Sequence, residues 1–263
     1  MAIAFDANSN GNGTATTATV SHTCSGSDRI LIVGISDEAS NFDRVSGVTY
    51  NGVAMTRLGS KAGDTSISIY LYMLVGPATG THDIVATFTT SISYVLVNTS
   101  YTGVRQDSQP DATSNTDTGG TGEVNISITT TYGATWLVGF MYNVIGNFTE
   151  GAGTTFRNGA GGTLPSSRVM ADSGSTNKPA GAYALIATHG AGSDGGIVTA
   201  IKEAQQTTTV TDTTTVTDTV RYGISSRISE TVTPTDNINT DVDRNPWRNE
   251  DKSTTTWINE DKS

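Results

Sequence analysis

Three histidines, one cysteine and two acidic, glycine-rich loops are the residues whose chemistry could reach beyond packing. His22, His82 and His189 lie far apart in the chain, and no two of them share the local spacing of a zinc-ligand pair. His82 follows the Thr79-Gly80 turn and reads as a turn or surface residue. Cys24 is the only cysteine, so no intrachain disulfide can form, and in its strand-like run it reads as a small packed side chain. The clusters Asp111–Gly122 and Ser193–Gly196 offer oxygen ligands, but without the ordered acidic spacing of a calcium loop, and read as plain loops. No G-x-S-x-G elbow, phosphate-binding loop or Cys/His pair is present. A carboxylate pair for glycoside hydrolysis is set in three dimensions, and nothing in the sequence supports one. The expectation is a protein that is not an enzyme and uses no cofactor and no metal.

Charge and hydropathy narrow the partners. The 263 residues carry a net charge of -10, shared equally between residues 1–202 and 203–263 at -5 each. An acidic chain without a basic patch lacks the cations that displace counterions from phosphate, which argues against nucleic acid. No run approaches the roughly 20 apolar residues that span a bilayer, so no membrane partner is expected. The opening MAIAFDANSNGNG has neither the positive start nor the apolar stretch of a secretory signal. This pattern predicts a protein made in a cytoplasm.

The elements that must position any site are strands. VTYNGVAMT reads as a hairpin around Asn51-Gly52, because both residues tolerate the positive φ of a type I′ turn. Ile67, Ile69, Leu71, Met73 and Val75 fall on one side of the next strand, with Tyr70, Tyr72 and Leu74 on the other. Gly76-Pro77 and Thr79-Gly80 predict a turn, followed by one strand over Ile84–Phe88 and another over Tyr94–Tyr101. Ala2–Asp6 is expected as a short strand, NSNGNG as a turn, and Thr14–Thr23 as a second strand. RILIVGIS at Arg29–Ser36 is continuously apolar and predicts a central strand buried on both faces. Arg105–Glu123 reads as one long polar loop, Val124–Ile128 as a half-buried strand, Trp136–Val144 as a second strongly apolar one, and 146–162 as a glycine-rich loop. Arg168–Asp172, Tyr183–Thr188 and Gly195–Lys202 complete the strands. Little helix is expected. Antiparallel strands at this spacing predict an all-β protein with an antiparallel β-sandwich, jelly-roll or immunoglobulin-like, over residues 1–202.

The run VTYNGVAMT…IYLYMLVGPATGTHDIVATF…VLVNTSYTGV resembles a β-sandwich module common in phage structural proteins and bacterial surface proteins. That resemblance covers residues 1–202 and speaks to fold, since fold alone does not assign a task.

Beyond Glu203 the composition changes. Residues 206–219 repeat TTVTDT with a period of six, which keeps Val210 and Val216 on one face of an extended chain. One valine per repeat cannot build a core, so an extended C-terminal β-arm over 203–263 is expected to pair with a partner chain or with the sandwich's own edge, or else to stay mobile. At the end, Trp247-Arg248-Asn249-Glu250-Asp251-Lys252-Ser253 is repeated ten residues later as Trp257-Ile258-Asn259-Glu260-Asp261-Lys262-Ser263. The pair resembles the W-x-N-x-x-K-S repeats that close some tailed-phage virion proteins. The resemblance implies a structural component of a phage particle (decoration, neck, tail or fibre accessory) that assembles with copies of itself and neighbouring virion proteins. Val210, Val216, Trp247, Lys252, Trp257 and Lys262 are the expected interface residues, with the indoles as anchors and the charged side chains around their rim. The alternative is a carbohydrate-binding or adhesive surface module for a host-surface glycan. It would use the sandwich loops, with Phe42, Tyr132 and Phe148 as their aromatic residues.

Overall fold

A computed structural model describes residues 2–38, 43–62, 67–117, 122–144, 146–157, 167–174, 177–190, 192–204, 216–221 and 227–232. These residues are all-β, and every strand pairing is antiparallel. The first half holds β1 (Ala4–Cys24), β2 (Ile30–Asp37), β3 (Val45–Tyr50), β4 (Val53–Ala54), β5 (Thr56–Ala62), β6 (Ser68–Val75) and β7 (Gly80–Thr102). They form one sheet in the order β4-β3-β7-β2-β6-β5, with β1 on the remaining edge of β7. Asn51 and Gly52 between β3 and β4 have φ of 49° and 76°, the two positive values a type I′ turn requires.

Two expected pairs of strands are each a single long strand. β7 runs unbroken through Thr89–Ser93, pairing with β3 along its first part, β2 along its second, and β1 along both. Its bend is a bulge. The register steps from Ala15–Ile92 to Thr17–Thr87, so Phe88–Ser91 stand opposite the lone Thr16. Likewise, the expected NSNGNG turn is extended backbone inside β1, laddered to Tyr94–Thr99. Asn and Gly favour turns locally, but here the glycines serve close packing. A Cβ on Gly11 would stand 2.7 Å from Val20 Cγ2, and one on Gly13 3.2 Å from the Tyr94 hydroxyl.

The bend folds this sheet around its own core, in which Val48, Tyr50, Ile84 and Ala86 face Leu31, Val33, Ile35, Tyr70 and Leu96. The opposite face of β2 and β6 belongs to a second core. There Ile30, Ile32, Ile69, Leu71, Val97 and Tyr101 meet Trp136, Val138, Phe140, Tyr142, Met170 and Ile197. β2 is therefore buried at every position, as its continuous apolar run predicts.

The second half continues with β8 (Ala112–Asp117), β9 (Glu123–Thr130), β10 (Thr135–Asn143), β11 (Thr149–Glu150), β12 (Thr155–Phe156), β13 (Arg168–Asp172), β14 (Gly181–Thr188) and β15 (Asp194–Lys202). A five-stranded sheet, β12-β13-β10-β15-β8, packs one face on the first half and the other on a three-stranded sheet, β11-β14-β9. Val124, Ile126 and Ile128 point into that third core while Asn125, Ser127 and Thr129 are exposed, the alternation expected of a half-buried strand. The expected loop 105–123 instead contains β8. Its ATSNTD sequence carries no apolar signal because it is an edge strand, laddered only to β15. Likewise the glycine-rich stretch contains the two-residue strands β11 and β12. β16 (Val216–Arg221) and β17 (Arg227–Val232) pair as a separate hairpin.

Polar groups pin the two halves together. Asp172 accepts from the Tyr101 hydroxyl at 3.1 Å and from Arg157 Nε at 2.7 Å. Arg168, 3% exposed, donates to the Asn143 carbonyl at 2.6 Å, to Ser36 Oγ at 3.2 Å and to Glu38 at 2.7 Å. Each charge at this seam has a partner, which burial requires.

Candidate functional site

The polar residues of the first half converge in one buried network. His22 and His82 face each other across the β1–β7 ladder, with the Tyr50 ring edge-on to both at centroid distances of 6.5 and 5.6 Å. Their nitrogens are engaged elsewhere. His22 Nδ1 lies 2.8 Å from Ser9 Oγ and its Nε2 3.0 Å from Ser100 Oγ, while His82 Nε2 bonds the Thr79 carbonyl at 3.0 Å. Ser100 in turn donates to Asp6 at 2.7 Å. Burial drives the His22 pKa down to about 4 despite the pull of Asp6, so the ring is neutral at pH 7. The order of groups is Asp6, Ser100, His22, Ser9. The carboxylate touches a serine rather than the imidazole, so it cannot orient a general base as a catalytic triad does. Burial also raises the Cys24 thiol, which keeps it in the unreactive protonated form. This network holds β1 on β7.

His189 sits at the far end of β10. Its Nε2 lies 2.7 Å from Asp194 Oδ2, its Nδ1 2.7 Å from Asn143 Nδ2, and Phe148 stands edge-on at 5.5 Å. Phe148 also packs on Phe156. Tyr132 precedes β10 at the other end, where the Arg105 guanidinium lies 5.8 Å and Lys202 Nζ 5.9 Å from its ring centre. The strand thus separates Tyr132 from Phe148, and no joint aromatic surface forms between them. Phe42, Val210, Trp247, Lys252, Trp257 and Lys262 lie outside the described residues; Val216 opens β16. Among the described residues no group of three or more His, Cys, Asp or Glu stands together as a metal site.

A concavity lies elsewhere, partly within the expected loop 105–123. β8 closes one edge of the five-stranded sheet and β9 one edge of the three-stranded sheet, and a groove of about 670 Å³ lies along the corner they make. Thr113 and Ser114 line it from β8, Asn125, Ser127 and Thr129 from β9, and Tyr183 from β14. One end is fixed by Asp111, whose carboxylate accepts from the Thr131 N–H and hydroxyl, both at 2.7 Å, and from the Tyr132 N–H at 3.2 Å. Partial burial alone would raise the Asp111 pKa, but these bonds outweigh it and hold it below the usual carboxylate range. Asp111→Ala should therefore cost about 1–2 kcal/mol, read as a lower denaturant midpoint, with faster amide exchange at Thr131 and Tyr132. The groove's β9 residues are ordinary solvent-facing strand positions, and its β8 residues fall in the stretch expected as a loop. Only the meeting of two edges brings them together.

No protein-family model matches the chain, and no curated protein or solved structure matches it.

Proposed function

We propose that the chain is a non-enzymatic structural component of a tailed-phage particle, built as a β body that assembles through residues 203–263. The supporting observation is where the body ends. β15 is its last strand, Glu203 bridges to Val104, and the Ala204 N–H donates to the Gly103 carbonyl at 2.8 Å. The described residues of all three cores lie at or before Ile201. The remaining chain carries the TTVTDT and W-x-N-E-D-K-S repeats, which resemble virion termini and suit docking on copies of the same chain or on neighbouring virion proteins. An extended strand gains affinity from main-chain pairing, and buried indoles anchor it.

Light scattering on the full chain beside a truncation at residue 204 tests this. The expected result is a discrete oligomer that falls to a folded monomer on truncation. An oligomer that survives truncation makes the appended segment a passenger and refutes the assembly role.

A further inference from the structure

We propose that Asn51 is a modification site, deamidated through attack by the Gly52 backbone nitrogen. This goes beyond the assembly role and does not depend on it. Asn-Gly suits this chemistry because glycine puts no Cβ in the way of its own nitrogen. The dipeptide occurs four times, at Asn10-Gly11, Asn12-Gly13, Asn51-Gly52 and Asn158-Gly159. The last lies outside the described residues, and the fold separates the other three. Asn10-Gly11 and Asn12-Gly13 lie inside β1, matched residue by residue to Val97, Leu96, Val95 and Tyr94 of β7, with further pairs on both sides. Gly11 is also packed against Val20, and Gly13 against Tyr94.

Asn51-Gly52 instead forms the two-residue tip between β3 and β4. Asn51, Gly52, Val53 and Ala54 are all exposed, and a Cβ on Gly52 would meet nothing within 4 Å. A turn of this type bonds the residues that flank it, Tyr50 and Val53, so the Gly52 N–H stays outside the ladder. β4 is two residues long and pairs with β3 alone. Behind it, the N–H of buried Met55 donates to the Val48 carbonyl at 2.9 Å and closes the hairpin. The tip can therefore open between Tyr50 and Met55 while the rest of the sheet stays paired. Opening is what the reaction needs, since ring closure requires Asn51 to turn out of its folded backbone conformation.

Hydroxide removes the Gly52 amide proton, and the nitrogen attacks Asn51 Cγ. The bond from Cγ to the side-chain nitrogen breaks, ammonia leaves, and a cyclic succinimide remains. Water then adds to one of the two ring carbonyls. Addition at Cγ restores the main chain and leaves an aspartate. Addition at the main-chain carbonyl leaves isoaspartate, whose backbone runs through the side chain. The net change is loss of ammonia and gain of water, with nothing oxidised or reduced. Isoaspartate adds a carbon to a turn whose twist is matched to two ordinary residues. Either product adds a negative charge to a chain already at -10.

Trypsin separates the sites. Cleavage after Arg29, Arg44 and Arg57 puts Asn10 and Asn12 in the peptide 1–29 and Asn51 in 45–57, where it is the only amide side chain. The test incubates the full-length protein at mildly alkaline pH, folded and in parallel in urea. Mass spectrometry of each peptide then follows the exchange of an amide NH2 for OH, with aspartate and isoaspartate resolved by elution. In the folded protein, 45–57 should convert at least about tenfold faster than 1–29, the ratio that a modest difference in opening free energy produces. In urea the rates per Asn-Gly should converge. A folded 45–57 that stays intact while it converts in urea would overturn the proposal. So would a folded 1–29 that converts as fast as 45–57.

Discussion

Gly34→Val is expected to destabilise the chain by at least about 3 kcal/mol, at the upper end of what overpacking a core costs. Gly34 lies in the middle of β2, where the two halves touch. A Cβ there would stand 2.5 Å from Phe140 Cγ, 2.6 Å from its Cδ2 and 3.0 Å from Met170 Cε. Phe140 is fully buried between β2 and the third core's sheet, so its ring has no space to yield into. The β2 backbone is equally constrained, with β6 and β7 laddered to its two sides. Urea unfolding of Gly34→Ala, Phe140→Leu and the double variant checks the mechanism. The smaller leucine side chain should recover more than 1 kcal/mol of the alanine's cost, the coupling expected of groups in direct contact. Additive losses would mean that the seam is not packed as tightly as described.

The second large effect is a pH dependence carried by His22. Unfolded, this ring titrates near 6.5; folded, burial holds it down to about 4. Between those values the unfolded chain binds a proton that the folded chain refuses, so stability falls as pH falls through that window. The full contribution is about 3 kcal/mol, present above pH 6.5 and lost by pH 4. Asp6 is the nearby negative charge, reached through Ser100, and it softens the shift without reversing it. Asp37 titrates in the opposite sense, because burial raises its carboxyl despite the Arg44 pair at 2.6 Å. The difference between wild type and His22→Gln therefore isolates the histidine. Unfolding free energies from pH 4 to 7.5 should slope steeply in the wild type and much less in the variant. Parallel curves would show that His22 is not the titrating group.

Much of the scaffold is legible in the sequence. RILIVGIS announces a strand buried on both sides, and WLVGFMYNV a strongly apolar one, because nearly every residue is apolar or small, and both lie at the interfaces between layers. Asn51-Gly52 announces its turn because few other pairs accept two positive φ values. NSNGNG misleads for the opposite reason. Its local preference is for a turn, and the ladder to Tyr94–Thr99 overrides it over a separation of more than eighty residues that no local pattern reveals. β8 is invisible because an edge strand need bury nothing. The concavity beside it inherits that invisibility, as its β9 residues Asn125, Ser127 and Thr129 are the solvent-facing half of an ordinary alternation. Tyr183 lay inside an expected strand and shows its partners only when β14 and β9 are paired. His22 could not be read as strongly perturbed either, since its burial depends on β1 and β7 folding over it together.

The position of β15 has a mechanical consequence. This strand runs between β10 and β8 and points its C-terminal end toward Ala204, where the rest of the chain departs. A pull on that segment along the strand axis does not peel hydrogen bonds one at a time. It loads the ladders to Thr135–Asn143 and to Ala112–Asp117 together, in shear. The bridge of Glu203 to Val104 adds a stitch to the end of the first half at the point where the load enters. Loaded this way, the body would resist tension as a unit, and would yield only when two rows of bonds rupture at once.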